Sequence, residues 1–186
     1  MENRNFYIFT GGPGSGKSTV LEILKNMGYL TVNEVAREII KKQVWTGGDA
    51  LPWMNTVRYA NLMFFKSILD FEEFAHVDKT CFFDRGIIDT LGYARLVNIP
   101  VTDDMIETAN RYKYNTKIFL FPFWKEIYMN DSERKQDQEE AQKTYLIIKD
   151  TYENFGYETI NVPFLSPKER AEWILHMVGT IQEAEI

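Results

Sequence analysis

An apolar run, Phe6-Tyr7-Ile8-Phe9-Thr10, leads directly into Gly11-Gly12-Pro13-Gly14-Ser15-Gly16-Lys17-Ser18, after which Val20, Leu21, Leu24 and Met27 recur at helical spacing. The middle segment fits G-x-x-x-x-G-K-[ST] in the setting that pattern requires, a buried strand that ends in a glycine turn and opens a helix. Glycines allow successive backbone N–H groups to turn inward around phosphate oxygens, and the helix aims the positive end of its dipole at the same anion. Gly12, Pro13, Gly14, Ser15, Gly16, Lys17, Ser18 and Thr19 are therefore the candidate nucleotide-binding residues, for ATP or GTP. Lys17 is placed to reach the β and γ phosphates, and Ser18 to offer its hydroxyl to Mg²⁺, a hard cation that takes oxygen ligands. The competing reading is a plain glycine turn capped by Ser15.

The rest of the chain alternates in the same way. Gly28 closes the first helix before a strand at Tyr29–Val32, and Glu34–Lys42 suits a helix. Trp45–Pro52 reads as a loop by its glycines and proline. Val57, Ala60, Phe64, Ile68 and Phe71 mark a long helix ahead of a strand at Thr80–Asp84. Further strands are expected at Lys117–Phe121 and Glu158–Val162. Between them Ala141, Tyr145, Ile148, Tyr152 and Phe155 mark a helix that stops at Gly156, and Ala171, Ile174, Leu175, Val178 and Ile181 mark a final one. Such alternation predicts an α/β chain with three layers, a five-stranded parallel sheet covered by helices on both faces, in the manner of the P-loop NTPase fold. Ligands in such sheets bind at the carboxyl ends of the strands. With 186 residues and no internal repeat or linker, residues 1–186 are expected to form a single domain.

Several residues outside the glycine loop fall at that edge. Asp84 ends an apolar strand, where it would hold Mg²⁺ directly or through water; the alternative is a helix N-cap. Arg85 follows where machine-like ATPases carry a glutamate, and suits a charged acceptor or the transferred phosphoryl group, against a surface ion pair. Glu34, just past the second strand, would take a proton from an acceptor hydroxyl or position a ribose, against simply complementing a helix dipole. Asp89 is a lesser second carboxylate. Arg134, with Lys135, lies in a charged stretch suited to a lid over ATP, against a solvated helix face. Trp45 and Trp53 would stack on an aromatic acceptor or pack in the core, and Pro163 and Phe164 would border the adenine. His76 and His176 have no metal-ligand spacing, and Cys81 reads as a buried thiol.

Composition limits the alternatives. A formal charge of −6 argues against a nucleic-acid or anionic-membrane surface, and one cysteine against a disulfide framework. The absence of a leader-like or long apolar segment gives the expectation of a cytoplasmic protein.

Gly-Gly-Pro-Gly-Ser-Gly-Lys-Ser-Thr at Gly11–Thr19, Asn33-Glu34-Val35-Ala36-Arg37, Phe83-Asp84-Arg85-Gly86 and the Asn130-Asp131 to Arg134 stretch resemble the P-loop domain of NadR-like AAA ATPases. The resemblance covers nearly the whole chain. It implies ATP and a nucleoside acceptor, with phosphoryl transfer to a hydroxyl assisted by Mg²⁺, as in members that are nicotinamide riboside kinases. The expected activity is thus a kinase acting on a small acceptor, a nucleoside or nucleotide first, with Lys17, Glu34, Asp84, Arg85 and Arg134 as its catalytic set and Ser18 and Asp84 at the metal. A regulatory ATP- or GTP-binding module with slow hydrolysis is the alternative. A ring-forming mechanical ATPase fits least, because no glutamate follows Asp84.

Overall fold

The computed structural model describes residues 1–124 and 138–179. Its elements run β1 (Phe6–Gly11), α1 (Lys17–Asn26), β2 (Leu30–Val32), α2 (Val35–Thr46), α3 (Thr56–Phe74), β3 (Cys81–Asp84), α4 (Ile87–Leu96), α5 (Asp103–Arg111), β4 (Lys117–Phe121), α6 (Gln138–Asn154), β5 (Glu158–Asn161) and α7 (Pro167–Val178). The five strands form one sheet in the order β2-β3-β1-β4-β5, and every pairing is parallel.

Strand alternation sorts the core into two halves. Phe6, Ile8, Cys81, Phe83, Ile118 and Leu120 face Phe64 and Phe71 of α3, Ile87, Ile88 and Leu91 of α4, and Ile148 and Tyr152 of α6. Tyr7, Phe9, Phe82, Phe119 and Phe121 face Val20, Leu21 and Leu24 of α1 and Ala171, Ile174 and Leu175 of α7. A one-residue slip in any strand would exchange these sets, so burial on both faces fixes the register. The same burial explains why the strands read as continuous apolar runs.

The expected strands are all present. One boundary and one face differ for identifiable reasons. Trp45 and Thr46 belong to the last turn of α2, which stops at Gly47 in the left-handed region rather than at the tryptophan. Of the expected face of α3 only Val57 is exposed; Ala60, Phe64 and Phe71 are buried, and Tyr59 and Met63 widen the covered side because α3 packs on α2 as well as on the sheet layer. The sequence reading did not anticipate α4 and α5. In α4 seven of ten residues are buried, so no polar stripe reveals a helical period. The short α5 is announced chiefly by its cap, Thr102, whose hydroxyl accepts the Met105 N–H at 3.3 Å. Ile181 lies outside the described residues. Among the described residues no helix is long and apolar enough to cross a membrane.

Gly11 closes β1 at φ +125°, and a Cβ there would stand 2.2 Å from the Phe121 carbonyl oxygen of β4. Gly28 also has a positive φ, +92°, but nothing within 4 Å of such an atom. Gly11→Ala is therefore expected to lower unfolding free energy by at least about 3 kcal/mol, backbone strain and overlap together. Gly28→Ala, with strain alone, should cost about 1–2 kcal/mol. Urea denaturation of the two variants checks the difference.

Candidate active site at the carboxyl edge of the sheet

The glycine loop joins the end of β1 to the start of α1. Gly14 and Gly16 adopt φ values of +68° and +82°, conformations that L side chains avoid, so the backbone reverses twice within a few residues. Gly16 is the N-cap of α1 and makes no side-chain cap bond, and the first turn holds no acidic residue. The Ser15 cap of the competing reading is not formed: the Ser15 hydroxyl donates instead to the Gly12 carbonyl at 3.0 Å. The helix N-terminus thus keeps its amides and its dipole available to an anion.

Lys17 folds back into this loop. Its Nζ donates to the Gly12 carbonyl at 2.8 Å and to Ser15 Oγ at 3.3 Å. Burial and the nearby Arg85 charge pull its pKa down to about 8, against the opposing pull of Asp84, Glu34 and Asp89. A polyphosphate would supply the counter-charge that burial removes.

Parallel pairing sets Asp84 opposite Phe9 and so brings the end of β3 beside the loop. Ser18 Oγ donates to Asp84 Oδ2 at 3.1 Å, whereas Asp84 Oδ1 is buried with no hydrogen-bond partner. Burial and the Glu34 charge raise the Asp84 pKa, outweighing Lys17, Arg85 and the Ser18 hydrogen bond. A buried carboxylate oxygen without a donor, next to a hydroxyl, is a donor set that fits Mg²⁺.

The chain leaves β3 through Arg85, at φ +72°, one of two non-glycine residues with positive φ among the described residues. That turn carries the guanidinium between two carboxylates, with Nε 3.0 Å from Glu34 Oε1 and Nη1 3.1 Å from Asp89 Oδ1. Glu34 also pairs with Arg37, 2.9 Å away. Burial works against the Glu34 carboxylate, but Arg85, Lys17, the Arg85 hydrogen bond and Arg37 together hold its pKa below the usual value. Arg85 is itself held protonated more firmly than usual: burial opposes its charge, and Glu34, Asp89 and Asp84 outweigh it.

Asp89 is the hub rather than a lesser carboxylate. Its Oδ1 accepts from Thr10 Oγ1 as well as Arg85, and its Oδ2 from the Gly86 N–H at 2.9 Å and Tyr152 Oη at 2.6 Å. The sequence hint was its place three residues past the N-cap of α4, where a carboxylate reaches back to the cap N–H.

Beside these groups opens a cavity of about 830 Å³, lined by Pro13, Glu34, Asp84 and Arg85 at one end and by Tyr59, Met63 and Tyr93 farther along. Tyr59 and Tyr93 meet edge to face, 5.7 Å between centroids. Trp53 lines the cavity, while Trp45 is 87% exposed and does not. On the other side of the loop Phe164 lies against Trp124, 5.2 Å between centroids. Thr19 is exposed on α1, His76 and His176 are exposed, and Cys81 is buried, its thiol pushed up to about 12. Arg134 and Lys135 lie outside the described residues. The sequence reading missed Arg170, buried against the loop from α7, because it reads as one more charge in a capped first turn.

A family model described as AAA domain matches residues 6–170. The chain belongs to this AAA domain family. No match is found among curated protein sequences. In fold the AAA domain is similar to deoxyadenosine kinase from M. mycoides with dCMP and dCDP bound, at 18% identity and TM-score 0.61 over 95% of this chain and 100% of that one. It is similar also to thymidylate kinase from Ehrlichia chaffeensis, at 12% identity and TM-score 0.56 over 96% and 100% of the chains. Shikimate kinase from Acinetobacter baumannii, in complex with shikimate, follows at 17% identity and TM-score 0.55 over 96% and 95%.

Removing the Glu34 charge leaves two arginines without their shared partner. Glu34→Gln is expected to lower stability at pH 7 by about 3 kcal/mol. The wild-type advantage belongs to the ionised carboxylate, so it is present above about pH 4.5, the unperturbed value, and fades as pH falls through the lower folded value. Thermal unfolding of both proteins from pH 7 down to pH 3 should show the gap closing.

Proposed function

We propose that this AAA domain is an ATP- and Mg²⁺-dependent kinase that phosphorylates a hydroxyl of a small acceptor, a nucleoside before a nucleotide. The observation that carries the reading is the cavity: it shares Pro13 and Asp84 with the phosphate and metal end of the site and extends from there between Tyr59, Met63 and Tyr93. A phosphate held by the loop and an acceptor held in the cavity would meet beside Asp84.

Each residue then has a task. Lys17 leaves the Gly12 carbonyl for the β and γ phosphates, Gly12 to Thr19 wrap the polyphosphate, and Ser18 and Asp84 hold the metal. Held by Ser18 and Asp84, Mg²⁺ would neutralise charge that develops during transfer. Glu34, kept ionised, accepts a hydrogen bond from the acceptor hydroxyl and orients it. A strong base is not required, because phosphoryl transfer depends mainly on positioning and charge neutralisation. Arg85 keeps Glu34 in place and lends positive charge to the transfer region. Arg134 is proposed as the lid cation.

The charge pattern supports a neutral acceptor. Arg37 and Arg85 are already engaged by Glu34 and Asp89, and Lys41 is an exposed cation at the rim. A phosphomonoester would have to break these pairs, whereas a nucleoside needs aromatic walls and a few hydrogen-bonding groups. The structural neighbours named as kinases of deoxyadenosine, thymidylate and shikimate agree with a small acceptor. Resemblance to NadR-like proteins puts nicotinamide riboside on the list.

ADP formation from ATP and Mg²⁺ against a panel of nucleosides, nucleotides and shikimate tests the reading. One acceptor, a nucleoside, should stimulate turnover, and Lys17→Ala should abolish it by a factor of at least about 10³, as expected when a charge-neutralising group is lost. Asp84→Asn should remove the Mg²⁺ dependence of nucleotide binding. Stimulation by no acceptor, with nucleotide still bound, would shift the reading to a regulatory nucleotide-binding module.

A further inference from the structure

Arg170, in the first turn of α7, is 3% exposed. Its Nη1 donates to the Ser15 carbonyl at 3.0 Å. Its guanidinium carbon lies 5.8 Å from the Phe121 ring centroid and 5.4 Å from that of Trp124. Its Nε is buried without a hydrogen-bond partner. No carboxylate among the described residues offsets the charge: burial is the influence on its protonation, and it acts against the charged form. A buried guanidinium without an anion is costly, and two aromatic faces offset only part of that.

Its position says what the missing counter-charge is. A Cβ on Gly16 would stand 2.8 Å from Arg170 Nη2 and 3.0 Å from Nη1, so the guanidinium lies flat against the turn that closes the glycine loop. The Ser15 carbonyl and the Gly16 N–H belong to one planar trans peptide and point in opposite directions. Holding the carbonyl toward Arg170 therefore turns the Gly16 N–H away from α7. That is the direction of the loop's interior, where a phosphate oxygen would need a donor.

We propose that Arg170 is a positioning residue for the nucleotide: it fixes the Ser15–Gly16 peptide from behind, and the polyphosphate of a nucleoside di- or triphosphate supplies the counter-charge that the described residues do not provide. This rests on the nucleotide-binding half of the reading above and not on the identity of the acceptor. It also accounts for Gly16 twice over, once by its positive φ and once by the space Arg170 occupies.

The test pairs binding with stability, using Arg170→Met and Arg170→Lys. Calorimetry with ATP and with inorganic tripolyphosphate, both with Mg²⁺, should show Arg170→Met binding each ligand about tenfold or more weakly, the effect of losing a charge-assisted contact. Arg170→Lys should recover part of the loss. The ligand-free melting temperature of Arg170→Met should be equal to or above wild type, since an uncompensated charge has been removed. A residue that merely braces the fold gives the opposite result: a lower ligand-free melting temperature with ligand affinity retained in both variants. That result overturns the proposal, as does a loss confined to ATP, which would assign Arg170 to the base through Trp124. Wild-type protein that binds neither ligand would overturn this proposal and nucleotide binding together. Wild-type protein that binds both but phosphorylates nothing would remove only the kinase.

Discussion

A single carboxylate ties the functional edge together. Asp89 receives the Thr10 hydroxyl from β1, the Gly86 N–H at the start of α4, the Tyr152 phenol from α6 and the Arg85 guanidinium from the turn after β3. Burying an ionised group is costly unless its lone pairs are used, and here both oxygens accept two donors each. Since those donors come from separate elements, the contact sets the spacing of the sheet edge as well as the direction of Arg85. Arg85 in turn determines where Glu34 stands. The Glu34 end of the cavity is thus built outward from Asp89.

The charges beyond Asp89 follow one pattern. Arg37, Glu34, Arg85 and Asp89 alternate in sign, and each arginine is spoken for. Lys17 and Asp84 lie outside that chain. Burial leads the shift of each toward its neutral form, Lys17 downward and Asp84 upward. Arg170, on the other side of the loop, is likewise disfavoured by burial. The folded chain therefore keeps unspent electrostatic capacity where a metal–polyphosphate pair would sit, and little where the acceptor would sit. That division matches a charged donor and a neutral acceptor.

Most of this architecture was legible from residues. Apolar strands buried on two faces gave their positions to within about a residue, as Lys117–Phe121 did without change. The glycine loop announced its own strand and helix, because the mechanism requires both. Helix α4 escaped notice because burial on nearly every side erases periodicity, and the functional weight of Asp89 and Arg170 escaped because it arises from partners 63 and 155 positions away in sequence. Glu34 was legible as a residue at the ligand edge, but its ion pairs with Arg37 and Arg85 required the fold. Local pattern reveals where backbone must go; long-range pairing decides what a side chain does there.

The tryptophans give the two halves of the site separate optical identities. Trp53 lines the cavity beside Glu34 and Arg85, and Trp124 lies under the Arg170 guanidinium beside the glycine loop. Trp45 stands in solvent, and Trp173 packs edge-on against Phe119 in the core. An indole reports the polarity and charge of its immediate surroundings, so filling the cavity and filling the loop perturb different chromophores. A ligand in the cavity and a polyphosphate in the loop would each lie nearest a different indole.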